Sequence, residues 1–127
     1  MALEDAALIT KIIPILNEFK EAEKSIKSAE TCESQISLTA VNQIRYAFNH
    51  LSSAINSYKN SDFAAADVDF LKSLGHCRRS FYDACDAEIT FCVERVNQFI
   101  KDCHAKGLQV NEIIPDYASK KVLILSA

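Results

Sequence analysis

The sequence predicts an all-α protein, an antiparallel bundle of about four helices, and three observations predict it. Among 127 residues there are only two glycines and two prolines, too few to supply the special turns of a sheet protein. Apolar residues recur every three or four positions over long stretches, which is the period of a helix and not of a strand. At 49% hydrophobic and 24% charged residues the chain can bury one core without disulfide or metal staples. A single domain over residues 1–127 is expected.

The first helix, about residues 3 to 30, carries Ile9, Ile12, Leu16, Phe19 and Ile26 along one face, with Glu23 breaking the series. Pro14 lies inside it and is expected to kink it, because proline lacks an amide proton and disfavours helical geometry at Ile13. Ser28 to Ser37 is rich in Ser, Thr and Glu and reads as the first connection, with Ser34 or Ser37 capping the next helix. That second helix, about 36–59, places Leu38, Val41, Arg45, Phe48, Leu51, Ile55 and Tyr58 at helical spacing. Asn60, Ser61 and Asp62 then form a short polar break, so the following helix folds back antiparallel. The third helix runs from about 62 to 106 and stops at Gly107. Its stripe reads Leu71, Leu74, Arg78, Phe81, Cys85, Ile89, Cys92, Val96, Phe99 and Cys103. Gly75 allows a bend or the close approach of another helix, and Asp83 or Asp86 a hidden break. A short last helix is expected from about Asp116 to Leu125 behind Pro115, although Val122 to Leu125 read equally as a strand.

Composition excludes several function classes. A net charge of -3 and a pI near 5.6 give no global attraction to phosphate backbones or anionic lipid, while a local basic patch remains compatible with them. The acidic start Met1 to Asp5 is unlike a secretory signal and no apolar run reaches a membrane's thickness, so a cytoplasmic location is expected. Four of the five cysteines, Cys77, Cys85, Cys92 and Cys103, spread through the third helix, and none of the five forms a Cys-x-x-Cys pair. Reduced thiols follow. There is no Glu-x-x-His pair, no His-Glu-x-x-His and no Gly-rich phosphate loop, so no metal or cofactor is expected. His76 beside Cys77 and Cys103 beside His104 point about 100° apart on a helix, which argues against a Cys-His nucleophile.

Arg45 lies on the apolar seam between Val41 and Phe48, and therefore needs a carboxylate partner, a rim position or a ligand. Arg78 repeats the puzzle between Leu74 and Phe81, with Asp67 or Asp83 as candidate partners. His50 stands off the seam beside Ala47 and Ala54. His76, Arg79, Asp83 and Asp86 share another face, either a polar site or a solvated face with helix ion pairs. Since both helices rise equally from the turn near Asn60, Arg45 falls level with Gly75 and His76, and His50 near Leu71, to within about one turn.

The stretch Arg45-Tyr46-Ala47-Phe48-Asn49-His50 resembles the Arg, four to six residues, His motif of HEPN proteins, compact helical bundles frequent in prokaryotic toxin, defence and RNA-processing systems. The segment His76 to Ala84 is similar to bacterial helical proteins of that broad kind. The resemblance implies a metal-independent endoribonuclease acting as a homodimer. Arg45 would steady the scissile phosphate and His50 would move protons during attack by the ribose 2′-hydroxyl, a chemistry suited to a fixed guanidinium fork and a near-neutral imidazole. On this reading His76, Arg78, Arg79, Tyr82 and Asp83 are the candidate substrate-binding set, and RNA is the expected partner. The alternative is a non-catalytic helical scaffold whose partner is another protein.

Overall fold

The computed structural model describes residues 3–114 and residue 116. These form four helices, α1 (Leu3–Glu33), α2 (Leu38–Lys59), α3 (Phe63–Ala105) and α4 (Val110–Ile113), with no strand among the described residues. The all-α class is as predicted. Two compact units are distinguished, residues up to Glu88 and residues from Ile89 onward, and α3 contributes to both.

Each boundary has a local cause. α1 continues through Pro14 as an uninterrupted helix and ends three residues later than expected, where Ser34 adopts φ 56° and its N–H bonds to the Glu30 carbonyl at 2.8 Å. α2 starts at the N-cap Ser37, whose carbonyl accepts the Val41 N–H at 3.0 Å while its hydroxyl makes no capping bond. Its end is a Schellman motif in which Ser61 (φ 62°) takes the left-handed position that glycine usually fills. The Ser61 and Asp62 N–H groups bond to the carbonyls of Tyr58 and Ser57. Asp62 then caps α3, its Oδ1 accepting the Ala65 N–H at 3.2 Å.

α3 passes Gly75, Asp83 and Asp86 without a break. A methyl group at Gly75 would meet nothing within 4 Å, so no neighbouring helix requires that glycine. A second Schellman motif ends α3, with Gly107 at φ 70° and bonds from Leu108 to Cys103 and from Gly107 to His104. The single turn α4 buries Val110. The last helix expected at 116–125 lies outside the described residues apart from Asp116, a turn residue at φ 60°.

Within the first unit the register is fixed by small residues. Ala40, Ala47 and Ala54 on α2, and Ala66, Ser73 and Ser80 on α3, recur every seven positions and are all at most 3% exposed. Ser73 Oγ donates to the Ala47 carbonyl at 2.8 Å and Ser80 Oγ to the Ala40 carbonyl at 2.7 Å, which sets the two helices antiparallel at close approach. α1 runs parallel to α3, because partner numbers rise together in Lys11–Asp67, Glu18–Arg78, Ser25–Cys85 and Ser28–Glu88. Ile15, Ala47, Ala54, Ala66, Phe70 and Cys77 form the core cluster, with Leu8, Ile12, Phe19, Leu51, Ile55, Tyr58 and Leu74 packed against it.

The expected stripes are therefore corrected in part. Leu38 and Leu71 are about two-thirds exposed, and Arg45, Phe48 and Arg78 are exposed as well, because the interhelical seam is built from Ala and Ser and the larger apolar groups flank it. The five cysteines form no disulfide. Among the described residues no helix is long and apolar enough to cross a membrane.

Candidate functional site

Residues three and four positions beyond a seam residue fall on opposite sides of that seam. Four positions on, Leu51 and Tyr58 of α2 and Phe70 and Cys77 of α3 join the apolar core with α1. Three positions on, the same heptads place Gln43 and His50 on α2 and Asp69 and His76 on α3. These four side chains form one continuous polar row.

His50 Nδ1 lies 2.9 Å from Asp69 Oδ1, and His76 Nδ1 lies 2.7 Å from Gln43 Oε1. The two imidazoles stack almost parallel, 5.3 Å apart with 7° between their planes. A carboxylate and an amide oxygen only accept, so each Nδ1 donates, and each neutral ring carries its lone pair on Nε2. Burial, followed by the neighbouring His50 and Arg79, lowers the His76 pKa below its ordinary value and keeps this ring neutral at neutral pH. The Tyr46 ring leans on His76 with centroids 5.5 Å apart.

An open groove follows this row, lined by His50, Leu71, Lys72, Gly75, His76 and Arg79. Lys72, Gly75, His76 and Arg79 repeat at helical spacing along one face of α3, and the missing side chain at Gly75 leaves room between the two cations. The groove can thus offer two fixed imidazole nitrogens and two positive charges to an anionic ligand.

Of the residues singled out from sequence, His50, His76 and Arg79 are brought together here. Arg45 is exposed and bonds through Nη1 to Asn42 Oδ1 at 3.5 Å, one turn back on α2. Arg78 found its carboxylate on α1, Nε to Glu18 Oε1 at 3.3 Å, and neither of the expected Asp67 or Asp83; Asp67 pairs with Lys11. Tyr82 is exposed with its ring against Phe81, and Asp83 is half-buried one heptad beyond His76. Gln43, Asp69 and Lys72 were missed. The signal for the first two was present, since Gln43 and His50, and Asp69 and His76, are each seven apart in step with the alanine and serine seam.

Cys77 is not a nucleophile at this site. It is buried, and its thiol is pushed up to about 11 by burial and then by Glu18, so the thiolate is scarce at neutral pH. Among the described residues no group of three or more His, Cys, Asp or Glu side chains is arranged to hold a metal ion. Comparison with protein-family models, with curated proteins and with solved structures finds no match for this chain.

Proposed function

We propose that this chain is an RNA-binding helical module of the HEPN-like kind, acting as a homodimer and cleaving RNA without a metal through the α2–α3 groove. The observation that supports the reading is the Asp69–His50–His76–Gln43 row lying beside Lys72 and Arg79. In the proposed reaction neutral His76 accepts the 2′-hydroxyl proton, and the 2′-oxygen attacks phosphorus as the bond to the 5′-oxygen breaks. His50, entering the step as the imidazolium with its Nδ1–H held by Asp69, hands its Nε2 proton to that departing oxygen, leaving a cyclic phosphate, a 5′-hydroxyl and a neutral His50 ring. Lys72 and Arg79 neutralise the phosphate. Arg45 serves as a phosphate contact reached only in the dimer, since within one chain it bonds to Asn42 and not to the histidine row.

The test is cleavage of single-stranded RNA in the presence of a chelator. His50→Ala and His76→Ala should each lower the rate about 10²- to 10⁴-fold, the usual contribution of a general acid or base, with helix content unchanged. Arg45→Ala should do the same. Unaltered protein that binds RNA without cutting it removes the catalytic half of the reading; protein that does not bind RNA removes all of it.

A second reading, a non-catalytic scaffold for a protein partner, is favoured by a different observation. Arg45 and His50 are both engaged by neighbours of the same chain, while Ile9, Ile13, Leu16 and Phe48 stand exposed. Under that reading His50→Ala changes no interaction, and substitutions at Ile13 or Leu16 abolish self-association or partner binding measured by light scattering.

A further inference from the structure

Tyr46 has no part in the proton transfers proposed above, yet it extends the row of rings. Its ring is inclined 52° to His76, which is itself stacked on His50, so three aromatic rings succeed one another at 5.3 to 5.5 Å, two of them lining the groove and Tyr46 continuing the series beyond its lining. Tyr46 is the exposed end of that row, half open to solvent. On the α3 side the cations Lys72 and Arg79 stand seven residues apart, about 10 Å along the helix. Planar rings in series beside a line of positive charge match the two repeating features of an unpaired nucleic-acid strand, its base faces and its phosphates. A duplex cannot use such a platform, because its base faces are covered by one another. A ligand that carried only a phosphate would use the phenol hydroxyl and not the ring face, and Tyr46→Phe separates the two contacts.

We infer that Tyr46 is a base-stacking platform, and that the groove selects single-stranded over double-stranded nucleic acid by seating one unstacked base on this ring while the adjoining phosphates lie along Lys72 and Arg79. The inference rests on the RNA-binding reading and adds the residue that gives it strand selectivity. Tyr46 here is a positioning and specificity residue, not a proton carrier.

The experiment is fluorescence anisotropy with a labelled 2′-O-methyl oligoadenylate, whose blocked hydroxyl prevents cleavage, offered alone and as a duplex with its complement. Tyr46→Ala should weaken binding of the single strand about tenfold or more, the usual effect of losing one base–aromatic stack, and Tyr46→Phe should restore it to within about twofold. The slope of log Kd against log salt should be the same for Tyr46→Ala as for the unaltered protein, whereas Lys72→Ala and Arg79→Ala should each reduce it by about 0.7. If the unaltered protein binds neither probe, this inference and the RNA-binding reading both fall. If it binds the strand but Tyr46→Ala binds equally well, or if duplex and single strand bind alike, the platform alone is overturned.

Discussion

The two flanks of the α2–α3 seam are built from the same helices at the same period, and differ only in which residues the heptads place there. On one flank Leu51, Tyr58, Phe70 and Cys77 meet Ile15 and Phe19 of α1 in the apolar core. On the other, Gln43, His50, Asp69 and His76 bond to one another and remain partly open. Only the first flank needs α1. Because the Ala and Ser seam already brings the two helices to close approach with buried Ser–carbonyl bonds, the second flank is released from packing duty and holds polar chemistry at fixed geometry.

The comparison predicts an asymmetry that truncation on each side measures. Phe70→Ala should cost about 3–5 kcal/mol in urea unfolding, the range for removing a buried aromatic ring. His50→Ala should cost about 1 kcal/mol, one hydrogen bond to a partly exposed carboxylate. Equal costs would mean that the histidine row is structural.

The seam itself comes next in size. Ala47→Leu inserts a branched side chain where Ala47 is 3% exposed and its carbonyl takes the Ser73 hydroxyl, and should cost about 1–3 kcal/mol from overpacking. The stacking of His50 on His76 should be lost with it, visible as a change in histidine ring resonances by NMR. If those resonances do not move, the seam does not set the geometry of the row.

The smallest effect is in the pH dependence. The folded His76 pKa is lowered, so as pH falls through the ordinary imidazole range near about 6.5 the unfolded chain takes up this proton before the folded chain does. The unfolded state is then favoured by proton binding, and stability drops on acidification. Urea midpoints at about pH 7.5 and about pH 5.5 should therefore lie closer together in His76→Gln than in the unaltered protein. An unchanged gap would mean that the groove does not hold His76 neutral.

Much of this was legible in the sequence because the relevant signals are local. Polar breaks at Asn60 to Asp62 and at Gly107 gave the ends of α2 and α3 to within a residue or two, and counting from the turn put His50 within two residues of Asp69. What misled was the weight given to large apolar residues. Leu38, Phe48 and Leu71 keep helical period but are exposed, whereas the buried period is carried by Ala40, Ala47, Ala54, Ser73 and Ser80, residues that look neutral in a hydropathy reading. The Arg45 and Arg78 puzzles arose from that choice of stripe and vanish with it, since neither lies on the seam. Arg79 and His76 could be grouped on one face from sequence, but their joining to His50 depends on a contact between helices that no single-helix pattern contains.

The seven-residue spacing of the seam has one further consequence. A hairpin whose contact positions are Ala, Ala, Ala against Ala, Ser, Ser looks nearly the same to itself after a slide of one heptad, so the seam behaves as a ruler without numerals. The lateral row is not invariant under that slide. Moved one way, His50 would face His76 and Gln43 would face Asp83; moved the other, His50 would face Asp62 and Gln43 would face Asp69. Together with the short turn at Ser61, the pairs His50–Asp69 and Gln43–His76 supply the numerals, and the residues of the proposed site also tell the chain which of its near-equivalent alignments is the folded one.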